Sequence, residues 1–307
     1  MVTASPSTRK HALDAGLDLD ELGRSTGRSH IAREDVDRAI RGETSGAAPV
    51  AGPDHARYWA VDHAAYGPVH EEKMGRVPQL AAANLAAANA TIPQVTHHDQ
   101  ADMSAVEALR ARMKPEATAR GVKLTALAVH VKVLSHCLVA FPRVNASLSP
   151  DGDRLILKSY VHVGIAVDTP HGLMVPVIRD ADRKGLWQIA AEIADLAARA
   201  QQRKLKAEEM GGASMSISNL GGIGGSAFTP IVNPPEVAIL GLTRTELRPV
   251  WTGEAFVPVP FVPLDLSYDH RVLNGADAAR FLAHYAALIA DPSRMLLPRA
   301  DLLQATG

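Results

Sequence analysis

The sequence predicts an α+β domain of about 240 residues, built on a mixed, mainly antiparallel sheet with flanking helices. A small helical module and a linker precede it. Three observations carry this expectation. Helical spacing of apolar residues fills positions 3–41, and a Gly-, Ala-, Pro- and Ser-rich stretch then opens residues 42–65. From Tyr66 onward, strand-like and helix-like runs alternate with no internal repeat, which defines a domain at 66–307.

In the N-terminal module, Ser5-Pro6 sets a capping residue and a proline at a helix start. Apolar Ala12, Leu13, Leu17, Leu19 and Leu22 follow. The loop GRSTGRSH leads to Ile31, with Val36 and Ile40 on one face of a second helix. The composition of 42–65 suits a flexible linker with no core of its own, and Tyr58 and Trp59 suggest that its far end docks on a surface.

The larger domain reads in order. Lys73–Ala90 is helical, with Val77, Leu80, Ala81, Leu85 and Ala88 at near-helical spacing. IPQVTHHDQADM alternates like a strand, and Ser104 caps the helix AVEALRARMK. Leu124–Phe141 is an apolar helix stopped by Pro142. LILKSYVHVGIAVDTPHGLMVPVI reads as two strands joined by the Pro170–Gly172 turn, and Leu186–Met210 as one long charged helix. ASMSISNLGGIGGSAFTPIV returns to strand with glycine interruptions. VAILGLTRTE and FVPVPFVPLDLSYDH add strands, and Gly275–Ile289 closes as an amphipathic helix.

Composition narrows the function. Apolar residues make up 47% of the 307, enough for a sizeable core. A net charge of −1 argues against nucleic acid or a membrane surface held by bulk charge. One cysteine, Cys137, excludes an intramolecular disulfide framework and a thiolate-rich metal site, and its apolar run makes it a core residue. The polar N-terminus lacks the apolar region of a signal peptide, and no run approaches the roughly 20 apolar residues of a membrane span. The expected location is the cytoplasm.

The chemistry centres on Asp269-His270-Arg271 at a strand end, with Asn274-Gly275 just after. Imidazole titrates near neutrality, so His270 suits a general base that takes a proton and returns it. A satisfied structural histidine is the competing reading. Asp269 and Arg271 point away from His270 and hold the turn. In Ser216-Ile217-Ser218-Asn219-Leu220, followed by GGIGG, a hydroxyl can donate to an oxyanion; a serine bonded to local backbone is the alternative. Gly221, Gly222, Gly224 and Gly225 match no nucleotide loop, and tight turns explain them better. Adjacent strand residues His97 and His98 face opposite ways, which disfavours a shared metal ion. No G-x-S-x-G elbow is present.

SYDHRVLNGADAARF resembles the active-site signature of the dihydrolipoamide acyltransferases, core components of 2-oxo acid dehydrogenase complexes. IPQVTHHDQADMSAVEALR, VNASL, YVHVGIAVDTPHGLMVPVIRDADRKGL and SMSISNLGGIGGSAFTPIVNPPEVAILGLTR follow in the family's order, so the resemblance spans Tyr66 to Leu303. It implies a chloramphenicol-acetyltransferase-like fold, with His270 as general base and Ser218 as oxyanion donor. Asn274 stands where the family carries aspartate or asparagine and joins the catalytic set. The asparagine form with TPIVNPPEVAILGL is similar to acetyltransferases of the pyruvate dehydrogenase type. Arg110 resembles a coenzyme A contact, against the plainer reading of a solvated helix arginine.

The resemblance further implies a homotrimer, with Ser218 and His270 meeting across a subunit boundary, and larger cages built from trimers. Coenzyme A is then a substrate, and the lipoyl group comes from another domain or chain, because no lipoyl domain is recognised in this sequence. Residues 3–41 resemble the peripheral-subunit-binding domain that docks a 2-oxo acid decarboxylase or dihydrolipoyl dehydrogenase. Their loop departs from the family: STGRSHI is one residue short and lacks a Gly-Arg before Ile31. The apolar C-terminal stretch MLLPRADLLQATG suits either a trimer–trimer contact or packing on its own subunit. A scaffold with little catalysis of its own is the competing function.

Overall fold

The computed structural model describes residues 2–26, 31–40 and 60–296. The chain divides into two compact units between Glu72 and Lys73. This division lies past the expected start of the larger domain at residue 66, and residues 60–72 are exposed throughout.

Among its described residues the first unit has three α-helices where two were expected: α1 (Pro6–Asp14), α2 (Leu19–Thr26) and α3 (Arg33–Ile40). Ser5 caps α1 as anticipated, accepting from the Thr8 N–H at 3.2 Å. The first helix stops because Gly16 turns left-handed, with φ of 71°. Asp18 then restarts the chain by accepting from the Asp20 N–H at 2.7 Å. Ala12, Ile31 and Val36 form the buried centre, with Leu17, Leu19 and Leu22 packed against it. Leu13 and Ile40, expected on the apolar face, are exposed. The expected linker features at 42–59, including Tyr58 and Trp59, and part of the loop before Ile31 lie outside the described residues.

The second unit is built on a seven-stranded sheet, counted among the described residues. Its strands are β1 (Gln94–Asp102), β4 (Val163–Ile165), β5 (Val177–Ile178), β6 (Met215–Asn219), β7 (Ala238–Leu242), β8 (Glu246–Trp251) and β9 (Phe256–Asp269). The order is β1-β9-β7-β6-β4-β5, with β8 also on β9. Only β4–β6 and β6–β7 are parallel, so the sheet is mixed and mainly antiparallel as predicted. A separate two-stranded ladder joins β2 (Ala146–Leu148) to β3 (Leu155–Leu157).

Strand alternation divides the sheet into two unlike faces. Met215 and Ile217, Leu240 and Leu242, and Leu264, Leu266 and Tyr268 are buried in the main core. The intervening residues Ser216 and Ser218, Gly241, and Asp265, Ser267 and Asp269 give the other face a polar character. The core side is filled by α6 (Ala126–Ala140) and α8 (Gly275–Ala290), together with parts of α5 (Ser104–Ala119) and α7 (Leu186–Gln201). Almost every residue of α6 is buried, which explains its unbroken apolar sequence. On the other side, Ala88 and Ile92, at the end of α4 (Arg76–Thr91), pack with Val232 and Ile239.

Several expectations shift. The helix expected to end near Lys114 continues as α5 through Pro115, whose surroundings are exposed, so the carbonyl it frees can bond to water. The helix expected to reach Met210 ends at Gln201, where Arg203 turns left-handed with φ of 57° and the Lys204 N–H returns to Arg199 O. LIL leaves the predicted long strand to form β3, while β4 and β5 pair around the Pro170–Gly172 turn. That turn is tied by Thr169 Oγ1 donating to Gly172 O at 2.6 Å. β8 was not anticipated. Among the described residues, no helix is long and apolar enough to cross a membrane.

Candidate active site

His270 is exposed and stands one residue beyond β9, in the turn that leads into α8. Its backbone N–H donates to Pro93 O at 3.1 Å, and its ring lies 5.7 Å from that of Tyr268. Neighbours on both sides fix the turn. The Asp269 carboxylate, 4% exposed, accepts from Arg271 Nη2 at 2.7 Å and from Nε at 3.0 Å. It also accepts from the Arg271 backbone N–H at 3.0 Å. The Asp269 carbonyl takes the Val272 and Leu273 N–H groups, and Arg143 donates to Val272 O at 2.9 Å. The bonded carboxylate raises the Arg271 pKa and keeps the guanidinium charged. Asp269 and Arg271 hold the turn, as expected, and they do so by pairing with each other.

Asn274 performs a task visible in local geometry. It is the N-cap of α8: its Oδ1 accepts from the Asp277 N–H at 2.9 Å, and Asp277 Oδ2 accepts from the Asn274 N–H at 3.2 Å. This reciprocal capping box satisfies two amides and sets the angle at which the His270 turn enters the helix. The spacing Asn274-x-x-Asp277 carried this signal in the sequence.

Ser218 lies near the C-terminal end of β6 and is half-buried. The glycine-rich loop after it is held at both sides. Asn219 Oδ1 accepts from Gly221 N–H at 2.9 Å, and Arg244 Nη2 donates to Ile223 O at 2.8 Å. Two residues before Ser218, Ser216 Oγ donates to Glu236 Oε1 at 2.9 Å. Glu236 is 8% exposed, and burial pushes its pKa up to about 7, opposed by the Ser216 bond and by Lys158. Sequence reasoning missed Glu236, because nothing local marks a charged strand-entry residue as buried.

Within one chain the structure does not bring Ser218 and His270 together. Ser218 pairs with Gly241 and Gly241 with Asp265, so Ser218 is two strands from β9 at a point four residues before its end at Asp269. At about 4.8 Å per strand and about 3.3 Å per residue, with His270 one residue past that end, their backbones are on the order of 20 Å apart. No direct hydrogen bond spans that distance.

Arg110, on α5, is tied locally. Its Nη1 donates to Glu107 at 2.7 Å and its Nε to Leu124 O at 3.2 Å. The plainer reading, a solvated helix arginine, is therefore too loose a description. His98, weighed in the sequence only as a metal ligand, has an unforeseen partner: its Nδ1 donates to Asp265 Oδ1 at 2.6 Å, across the β1–β9 pairing. Cys137 is fully buried, as expected, and burial pushes its thiol pKa upward.

The mixed sheet thus carries an exposed histidine in the turn at one end and a half-buried serine before a glycine-rich loop toward the other. Comparison with known proteins places the chain in a family. The family model described as 2-oxoacid dehydrogenases acyltransferase (catalytic domain) matches residues 66–297. The chain belongs to this family.

Among its relatives is the dihydrolipoyllysine-residue acetyltransferase component of the pyruvate dehydrogenase complex from Pseudomonas aeruginosa, 47% identical over 301 residues. The alignment covers 96% of this chain and 55% of that protein. The Azotobacter vinelandii counterpart is 46% identical, with 96% and 47% covered. The chain thus spans about half the length of the curated relatives it matches. Among solved structures, the dihydrolipoamide acetyltransferase of Azotobacter vinelandii is 51% identical, with a TM-score of 0.76 over 77% of this chain and 98% of that one. That structure belongs to an investigation of a serine, a histidine and an asparagine in the catalytic mechanism. The cubic core of the pyruvate dehydrogenase multienzyme complex matches with the same identity, coverage and TM-score.

Proposed function

We propose that the protein moves an acetyl group between dihydrolipoamide and coenzyme A, in a site completed by a second copy of the chain. The separation of Ser218 from His270 carries this reading: a base and an oxyanion donor on the order of 20 Å apart in one subunit serve one reaction only if another subunit supplies one of them. The spacing adds support. Ser218, His270 and Asn274 stand 52 and 4 positions apart, as do the serine, histidine and asparagine studied in the Azotobacter vinelandii enzyme.

A thioester is already activated, so the site has two tasks. His270 takes the proton from the attacking thiol, and the resulting thiolate adds to the thioester carbonyl carbon. Ser218 donates a hydrogen bond to the oxygen as it gains charge, a contribution typically worth about 10²–10³ in rate. The tetrahedral intermediate then collapses, the second sulfur leaves with the electron pair of the broken C–S bond, and His270 returns the proton to it. No acyl-enzyme forms, and buried Cys137 has no part. Asn274 holds the base-bearing turn through its cap. Arg110 Nε and Nη1 are engaged within the subunit, so a coenzyme A phosphate would be met by Nη2.

The same reading makes the chain the core of a pyruvate dehydrogenase complex in the cytoplasm, trimeric and assembled into a larger cage. A lipoyl group on another domain or chain feeds the site, and residues 3–41 dock the decarboxylase or dihydrolipoyl dehydrogenase. The C-terminal stretch, expected to form a trimer–trimer contact or to pack on its own subunit, lies mostly outside the described residues.

Subunit complementation tests the central claim. His270→Ala and Ser218→Ala, assayed separately for acetyl transfer from acetyl-CoA to dihydrolipoamide, are each expected to lose activity by about 10²-fold or more. Dissociated, mixed in equal amounts and reassembled, they are expected to regain activity at about one quarter of the sites, from random pairing in closed trimers. Inactive singles with no recovery in verified mixed trimers would remove the shared site. Near-normal activity in either single variant would remove that residue's role, and robust wild-type turnover excludes a purely scaffolding function.

A further inference from the structure

Ser218, Gly241, Asp265 and His98 form one continuous row across β6, β7, β9 and β1, because each is the direct register partner of the next. Direct partners project to the same face, so all four belong to the polar face that carries Ser218. Gly241 contributes no side chain, and the ring of Phe228 fills the space. A Cβ on Gly241 would come within 2.7 Å of Phe228 Cε1. Phe228 thus occupies the position between Ser218 and Asp265, and it lies at the far end of the glycine-rich loop that begins just after Ser218.

Asp265 is the buried anchor of that loop. Its carboxylate is 1% exposed and accepts two bonds, from the Phe228 N–H to Oδ2 at 3.1 Å and from His98 Nδ1 to Oδ1 at 2.6 Å. A buried carboxylate needs such partners, and each donor in turn becomes fixed by it. His98, with its side chain 48% exposed, closes the arrangement from the sheet edge. The Asn219 and Arg244 contacts restrain the start of the loop, whereas the Asp265 contact restrains its end beside the Ser218 row.

We propose that Asp265, oriented by His98, is a positioning residue for acyl transfer: it ties the glycine-rich loop to the sheet through Phe228 and so fixes the wall beside Ser218. The inference rests on the reading of Ser218 as oxyanion donor. Its consequence is kinetic. An oxyanion donor acts through placement, and a displacement of about 1 Å near the reacting atoms can cost about 10²-fold in rate. Loosening the loop therefore reduces turnover more than substrate binding.

The test is steady-state kinetics on the assembled protein with acetyl-CoA and dihydrolipoamide. Asp265→Ala is expected to lower kcat by about 10- to 100-fold while both KM values stay within about twofold. Asp265→Asn, which keeps an acceptor for the Phe228 N–H, is expected to recover most of that loss. In a Ser218→Ala background, Asp265→Ala is expected to add no further loss, because the residue acts through the serine. A folded Asp265→Ala protein with normal kcat would overturn the proposal, as would losses that multiply in the double variant. If Asp265→Ala does not fold, His98→Ala is judged by the same kcat and epistasis criteria. Near-normal turnover in Ser218→Ala overturns the oxyanion reading and this proposal together, an outcome distinct from failure at Asp265 alone.

Discussion

Asp269 and Arg271 bridge the residue between them: the carboxylate of one takes both the side chain and the backbone N–H of the other, and His270 is left projecting from the turn. The arrangement immobilises the backbone on both sides of His270 without occupying its ring. Asp269 is buried and Arg271 half-exposed, so the two halves of the pair are not energetically equal. Removing Arg271 leaves a buried carboxylate short of donors. Arg271→Ala is expected to lower stability by about 1–3 kcal/mol in denaturant unfolding, and to reduce kcat because the turn loosens. An unchanged unfolding midpoint would mean that the pair does not restrain the turn.

The cap at Asn274 separates stability from chemistry. Asn274→Ala removes the acceptor for the Asp277 N–H and is expected to cost about 1 kcal/mol, read as a lower unfolding midpoint. Asn274→Asp retains an acceptor and adds negative charge at a helix N-terminus, so it is expected to match the wild-type midpoint. If Asn274→Ala lowers activity while Asn274→Asp retains it, the role runs through the cap.

Stability is expected to fall on both sides of a maximum near pH 6.5, for opposite reasons. Burial lowers the pKa values of His130 and His136 to about 4, so the fold favours their neutral forms. Their contribution is complete above the ordinary value of 6.5 and is lost as pH falls towards about 4. Glu236 has the reverse sign. Its pKa is raised from 4.5 to about 7, so its contribution is complete below 4.5 and is lost as pH rises through about 7. Melting temperatures measured from pH 4 to 9 are expected to show both flanks, and Glu236→Gln is expected to flatten the alkaline flank and, by removing an opposing loss above 4.5, to steepen the acid one. An unchanged alkaline flank in that variant would rule out Glu236 as its source.

Elements whose cause is local were legible in the sequence. Ser5-Pro6 marked the start of α1, the unbroken apolar run before Pro142 marked a buried α6, and the alternation in VPLDLSYD marked a strand with one core face. The turn that bears His270 was equally plain, because a histidine between an acid and an arginine, followed by Asn-Gly, is a local pattern. The misses have causes that are not local. β8 is a strand because the first half of β9 pairs with it, and α7 ends where Arg203 adopts a left-handed turn.

The residues of the site divide in the same way. The sequence by itself determined the chemical groups: an imidazole at His270, a hydroxyl at Ser218 and a capping amide at Asn274, all set by residue type and short spacing. Only the tertiary structure decided their placement. Strand order and register separate Ser218 from His270, and they bring His98 to Asp265 across 167 residues of chain. Register depends on hydrogen bonds between segments far apart in sequence, and short-range patterns carry no record of which segments those will be.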